Sequence, residues 1–350
     1  MANYTDSFID VLRYKISQAM EMPEFKEKPS NILAAFLENT NFLVPGSELE
    51  RATNQKDTDR QTAYINLINR QAISTGSNRA YNHSGSRNAS TKTALSYITK
   101  TADFQYTVKE NDGNIYTKAE TLSKQFLSAI LAIHRDFETY VATWLNTNKS
   151  QVVNSLTPSG GTWDAANYIF QVVNSDEARF YQRVKGFMRQ QYYKGQMYFF
   201  GDEYSVQQGE YLANQGNGNA TNLGWQLNDT NIISSQDITP GSGYAGQGFM
   251  LPSGTFGALN WIPQLNRTGF GNTFGNGGAY YSIPDPFGLP ITYAVHELAV
   301  GADNQSAGSE RQDVNINVEV STDFAFVKAP MTTANAAPIF KVGLLDEEVA

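Results

Sequence analysis

The chain has 350 residues, of which 41% are hydrophobic, enough for one large or two medium domains with a sizeable core and too many for a disordered protein. A net charge of −8 and an isoelectric point near 5.0 argue against a dedicated nucleic-acid binder, which carries a basic excess, though not against a protein that merely encloses nucleic acid. The absence of cysteine excludes disulfides, thiol nucleophiles and cysteine-based metal sites.

Charged residues are only 17% of the chain, below the usual quarter. Asn, Gln, Ser, Thr and Gly take their place, a composition suited to extended loops and to subunit contacts formed without strong charge repulsion. No apolar run approaches the ~20 residues of a membrane span. The first twenty residues contain Asp6 and Asp10 and lack the apolar core of a signal peptide. The expectation is a protein made in the cytoplasm without a visible export signal.

Taken in order, the first 45 residues read as short helices. Phe8, Val11, Leu12, Ile16 and Met20 fall at helical spacing, as do Ile32, Leu33, Phe36 and Leu37, with Pro23, Pro29 and Pro45 between them. This arm looks made to pack on something else. Gln61–Ile73 and Thr91–Val108 read as strands, the latter from the alternation of Phe104, Tyr106 and Val108. A Ser-, Asn- and Gly-rich flexible tip joins them. From Gln61 to Lys100 there is no acidic residue, but there are five basic ones: Arg70, Arg79, Arg87, Lys92 and Lys100. The plain reading is a solvated hairpin. The functional one is a protruding hairpin that reaches an acidic surface on another subunit, and a long two-stranded hairpin is only marginally stable alone.

Thr117 to about Lys149 is the longest helical signal, without Gly or Pro. Thr117 and Glu120 have the spacing of a capping box. Leu122, Phe126, Ile130, Ile133, Phe137, Val141 and Trp144 lie on one helical face. TPSGG at 157–161 is a turn, and Trp163–Val173 is expected to be a short helix. Ser175 opens another helix that ends near Gly195. Met197–Phe200 reads as a buried strand broken by Gly201-Asp202, and Val206–Asn214 as a helix. Eleven glycines among aromatic residues between Thr239 and Gly278 are expected to form long ordered loops packed by their own rings. Ile291, Tyr293 and Val295 alternate. Val314, Ile316, Val318 and Val320 give strict period two, a strand with one buried and one polar face, continued by Phe324, Phe326 and Val327.

No catalytic constellation emerges. The histidines are His83, His134 and His296, and His296-Glu297 lacks the second histidine of the helical zinc motif. Neither a GxSxG elbow nor a GxxxxGK[ST] loop is present, and Gly269–Gly278 does not link a strand to a helix as a dinucleotide loop would. Asp202 and Glu203 follow a strand, where α/β enzymes place carboxylates, but nothing completes a site. Asp285, in IPDPFG, reads as a turn residue. The expectation is no enzyme, no cofactor and no metal.

The order of parts resembles the major capsid protein of tailed bacteriophages, the phage Hong Kong 97 type fold. The parts are a helical arm, a polar-tipped hairpin, a long helix, a mixed α/β region, glycine-rich loops and a late period-two strand. The resemblance spans nearly the whole chain but rests on order and length, since the family has no diagnostic short motif. It implies an α+β fold with an amino-terminal arm over 1–60 and an extended hairpin loop over 61–110. The spine helix of a peripheral domain would occupy 111–155 and an axial domain 156–280. The returning strands of the peripheral domain and a carboxy-terminal tail would occupy 281–350.

The apolar helix face from Leu122 to Trp144 should then pack on the strand around Val314–Val320. The implied function is self-assembly into hexamers and pentamers of an icosahedral shell that encloses double-stranded DNA without sequence-specific binding. Scaffolding and portal proteins would be its partners, with no membrane involved. The implied place is the virion, assembled in the host cytoplasm. Arg79, Arg87 and Lys92 at the hairpin would make the inter-subunit contacts. Some members carry a cleaved amino-terminal scaffolding segment. The 60 or so residues before the hairpin would not hold both that segment and an arm, so a separate scaffolding protein, or none, is implied. An encapsulin-like compartment shell and a phage tail or baseplate protein remain open as alternatives.

Overall fold

The structure, a computed structural model, describes residues 11–12, 14–22, 31–59, 63–68, 90–107, 115–154, 158, 160–215, 229–268, 279–300, 315–331 and 333–346. Residues 11–12 and 14–19 are helical (α1). Asn31–Leu43 (α2) and Gly46–Asp59 (α3) follow, then strands Ala63–Ile68 (β1), Ser90–Leu95 (β2) and Tyr97–Thr107 (β3). Helix Ile115–Asn148 (α4) leads to Thr162–Asp164 (β4), Ile169–Val172 (β5), Phe180–Gln190 (α5), Met197–Gly201 (β6), Glu203–Gln215 (α6) and Thr230–Ser234 (β7). The remaining elements are Tyr244–Pro252 (β8), Phe256–Trp261 (β9), Gln264–Thr268 (α7), Ala279–Pro284 (β10), Thr292–Val300 (β11), Asn315–Lys328 (β12) and Phe340–Leu345 (β13). The fold is α+β, and its two compact units are interleaved along the chain.

One unit holds 1–34, 96–137 and 258–325. Its antiparallel sheet has the order β10-β11-β12-β3, with β9 also paired to β12. The period-two pattern does what half-burial requires: Val318 and Val320 are buried, while Asn317 and Glu319 face the other way and are exposed. Leu122, Phe126, Ile130, Ile133 and Phe137 of α4 are all buried. Phe126 meets Phe104 of β3 edge-on at 5.1 Å between ring centres, and Phe137 meets Phe324 of β12 at 4.9 Å. The ring contacts of the helix with β12 thus fall at Phe324 and, through Tyr140 and Trp144, at Phe326, beyond the 314–320 stretch expected from the sequence, and Val314 lies outside the described residues. A second stripe of α4, Leu127 and Leu131, is buried with Ala19, Met20 and Phe287. The helix therefore buries more than the one face that periodicity picks out.

The other unit holds 35–95, 138–257 and 326–350. Its sheet is six-stranded and mixed, in the order β4-β5-β13-β8-β6-β7. The last strand, β13, lies in mid-sheet, parallel to β5 and antiparallel to β8. Residues 340–345, grouped by position in sequence with the returning strands and tail, are structurally part of this sheet. Helix α5 covers it with Phe180, Tyr181, Val184, Phe187 and Met188, and Phe170 stacks on Phe187 at 4.3 Å. A second aromatic group surrounds Phe36 of α2, whose ring lies 4.8–5.9 Å from those of Phe256, Phe326, Phe200 and Trp144. Val141 is buried and Trp144 half-buried. Every residue of β6 (MYFFG) is buried.

Four local expectations are corrected. Trp163–Val173 is a β-hairpin, β4 paired with β5, and not a helix. Asp164 accepts the backbone N–H groups of Ala166 and Asn167 at 2.9 and 3.2 Å and Tyr168 takes a left-handed conformation (φ 56°), so the turn is fixed by side-chain chemistry that periodicity does not see. Residues 244–252 and 256–261, expected as glycine–aromatic loops, are strands. Their glycines make room for rings, since a Cβ at Gly248 would come within 2.4 Å of the Phe199 ring. Thr91–Val108 is not one strand, because after Leu95 the chain leaves β1 and pairs with β12 instead. Finally, α4 begins at Ile115, which puts Thr117 inside the helix and away from the cap position.

Candidate functional site

The hairpin that carries the basic stretch is a separate two-stranded sheet, β1 with β2, which joins neither larger sheet. Its register runs from Ala63 opposite Leu95 to Ile68 opposite Ser90. Ala63, Ile65, Leu67 and Leu95 are buried, while Asn66, Lys92 and Ala94 are exposed. The Lys92 ammonium lies 4.0 Å from the centre of the Tyr64 ring, a cation–π contact along the exposed side. Arg79 and Arg87, the other two residues expected to make inter-subunit contacts, lie outside the described residues, as does His83. Lys100 does not belong to this ribbon. It sits on β3 and pairs with Asp136 of α4 at 2.5 Å.

The outer edge of β1 is closed by α3. Glu48, Arg51 and Gln55 stand three and four residues apart, on one face of that helix. The Gln55 side-chain oxygen accepts the Tyr64 N–H at 3.0 Å, Arg51 donates to the Tyr64 carbonyl at 2.9 Å, and Glu48 accepts the Asn66 N–H at 3.1 Å. Arg51 also donates to Glu48 at 2.6 Å, and these two partners hold the Glu48 carboxyl below its ordinary pKa, Arg51 foremost. The polar side chains of a helix thus satisfy an edge that would otherwise offer free hydrogen-bonding groups. Spacing in GSELERATNQ could have flagged that face, but not which strand it would meet.

The groups that might have supported chemistry all have structural partners. Asp202 caps α6, accepting the Ser205 N–H at 3.1 Å and the Gln247 N–H at 3.2 Å. His134, Asp285 and Tyr293 converge in the core of their unit. His134 Nε2 lies 3.1 Å from Asp285 Oδ1, and the Tyr293 hydroxyl is 3.0 Å from that nitrogen and 3.1 Å from that oxygen. The second Asp285 oxygen accepts the Phe287 and Leu289 N–H groups. The cluster therefore pins the β10–β11 turn to α4, from residues read separately as a helix residue, a turn residue and a strand residue. Burial, then the Asp285 charge, raises the Tyr293 hydroxyl well above its ordinary pKa.

Glu297, beside His296, is buried and accepts the Tyr281 hydroxyl at 2.7 Å and the Tyr106 hydroxyl at 3.5 Å. The His296 ring stacks on Tyr280 at 4.3 Å. Among the described residues no group of three His, Cys, Asp or Glu is placed to hold a metal ion, and no helix is long and apolar enough to cross a membrane.

No family model matches the sequence, and no curated protein does. Solved structures to which the chain is similar include one from Mycobacterium phage Bobi, with 15% identity, 94% of this chain and 95% of that one covered, and a TM-score of 0.48. Another is from Mycobacterium phage Cain, with 12% identity, 91% of each chain covered and a TM-score of 0.48. The capsid structure of the cyanophage P-SCSP1u is similar at 11% identity, with 81% of this chain and 83% of that one covered and a TM-score of 0.40. These three structures come from phages and are matched over most of their length at low identity.

Proposed function

We propose that this chain is the major capsid protein of a tailed bacteriophage, self-assembling as hexamers and pentamers into an icosahedral shell around double-stranded DNA. The observation that carries the reading is the β1–β2 ribbon. It is a two-stranded sheet with one edge satisfied by α3 and with a basic, acid-free sequence, and it joins neither large sheet of its own chain. Its buried face and α3 supply the packing that a lone ribbon lacks, and its exposed side, with Lys92, is left to meet a neighbouring copy. In this reading the ribbon is the extended loop, α4 on the β10-β11-β12-β3 sheet is the peripheral domain, and the six-stranded sheet is the core of the axial domain. Many modest contacts among identical copies close the shell.

The chain then acts by assembly and not by catalysis, consistent with the buried Asp202, Asp285 and Glu297, which hold a helix cap, a turn and tyrosines. A net charge of −8 suits an inner surface on which packaged DNA lies without sticking. The working location is the virion, after assembly in the host cytoplasm with scaffolding and portal proteins as partners. Negative-stain electron microscopy of the purified protein tests the reading. Closed icosahedral shells are expected, whereas tubes favour a tail protein and persistent small monomers overturn it.

A further inference from the structure

The unit that contains the six-stranded sheet has a polar cleft of about 350 Å3 away from the ribbon. One wall is the uncharged row Thr139, Thr143 and Asn146 of α4, the rim includes Asp237, and the floor is the Phe249 ring with the Lys341 ammonium 5.8 Å from its centre. Much of the polar lining is already engaged. Thr143 donates to the Thr139 carbonyl at 3.2 Å, and Asp237 accepts the Thr139 hydroxyl at 3.0 Å.

Lys341 differs from these neighbours. It is half-buried on β13, and among the described residues no carboxylate lies within ion-pair distance of it. The charged group acting on it is another cation, Lys149, whose ammonium is bonded to Asn146 at 3.2 Å. Burial first, and Lys149 second, push the Lys341 ammonium down to a pKa of about 8. A half-buried cation facing an open cleft, with a second cation nearby and no ion pair of its own among the described residues, is destabilised until an anion enters; the Asp237 carboxylate on the rim lies beyond ion-pair distance.

We propose that this cleft is a carboxylate-binding site, occupied in the assembly by an acidic side chain of a second copy of the chain. The identity of the occupant rests on the shell reading; the site itself does not. One ammonium reinforced by a second matches the single charge of a carboxylate, and 34 acidic against 26 basic residues place such groups on every copy. The threonine and asparagine wall is neutral, and Asp237 is the one carboxylate among the lining residues.

The test is acylation of the full chain at pH 7.5 with an N-hydroxysuccinimide ester, read at Lys341 by mass spectrometry against the other lysines. A bound carboxylate that raises the Lys341 pKa by about one lowers its reactive neutral fraction roughly tenfold. Acetate should therefore slow modification of Lys341 selectively in the free chain, and assembled particles should show the same protection without acetate. Equal rates with and without acetate overturn the site, whatever the particles do. Inorganic phosphate protecting better than acetate overturns the carboxylate assignment. Acetate protection of a chain whose particles leave Lys341 reactive overturns the second-copy occupant while the shell reading survives. Lys341→Met, which keeps an apolar stem on Phe249, should retain the thermal midpoint and lose particle yield, and Lys341→Arg should restore it. An unchanged yield in the Met variant overturns the occupant as well.

Discussion

Buried tyrosine hydroxyls on buried carboxylates are the recurring residue-scale device of the β10-β11-β12-β3 sheet. Burial, then the Glu297 charge, raises Tyr281 well above its ordinary pKa and raises Tyr106 in the same direction. Below about pH 10 folded and unfolded chains both keep these protons. Above it the unfolded chain releases them while the folded chain holds them, so stability is intact at neutral pH and is lost as pH rises from about 10 toward the raised values. The tyrosines' contribution to the guanidinium unfolding midpoint should be constant from pH 7 to 9 and fall beyond 10, read as the difference between the parent and Tyr281→Phe at each pH. Tyr281→Phe removes the 2.7 Å bond to Glu297 and leaves it, among the described residues, the 3.5 Å contact from Tyr106; it should cost about 1–3 kcal/mol at pH 7 and make the alkaline decline shallower. A variant as stable as the parent would show that the bond contributes nothing. None of this was legible in the sequence. Tyr281 and Glu297 meet only because β10 and β11 pair in one register, and His134 and Asp285, 151 positions apart, are brought together by tertiary packing.

At the scale of elements, α3 and the ribbon act together. Glu48 accepts from Arg51 and from the Asn66 amide, so Glu48→Ala removes a charged acceptor from the β1 edge while leaving both large sheets untouched. Local amide exchange at Asn66 should therefore accelerate with little change in the global thermal midpoint. Exchange at the parental rate would mean that β1 is held by its buried face alone. Legibility here divides by the kind of signal. Helix α4 and strand β6 follow from unbroken periodic or apolar runs, whose burial is a property of the local pattern. The β4–β5 hairpin was read as a helix because its turn depends on Asp164 and on the left-handed Tyr168, and neither produces a period.

For the whole molecule, the shell reading makes the ribbon's charge an assembly determinant. Reversing Arg79, Arg87 and Lys92 together to glutamate should abolish particles or make them fragile in sedimentation. Lys92 is exposed, and a change at an exposed position alters monomer stability by only about 0.5 kcal/mol, so the thermal midpoint of the free Lys92→Glu chain should hold. Particles indistinguishable from the parent would sink the proposed role of the ribbon. The architecture also departs from a linear division of the chain. Each compact unit is assembled from three separated segments, and four of the five divisions fall inside α2, α4, β9 and β12, the fifth between β2 and β3. Reading the chain as consecutive blocks places β13 with the tail, although it forms the middle of a sheet begun near residue 162.

The sequence by itself determined which stretches are long helix, buried strand or half-buried strand, because those states are written in the spacing of apolar residues within a few turns or pleats. It also determined the acid-free basic stretch of the ribbon and the absence of thiol chemistry, which are matters of composition. Only the tertiary structure decided that β2 pairs with β1 while β3 pairs with β12, that β13 lies between β5 and β8, that α3 closes the β1 edge, and that Lys341 lines a cleft with no ion pair of its own among the described residues. Backbone groups accept any partner of correct geometry, so pairing across a hundred residues is selected by the whole packed core and not by any local pattern.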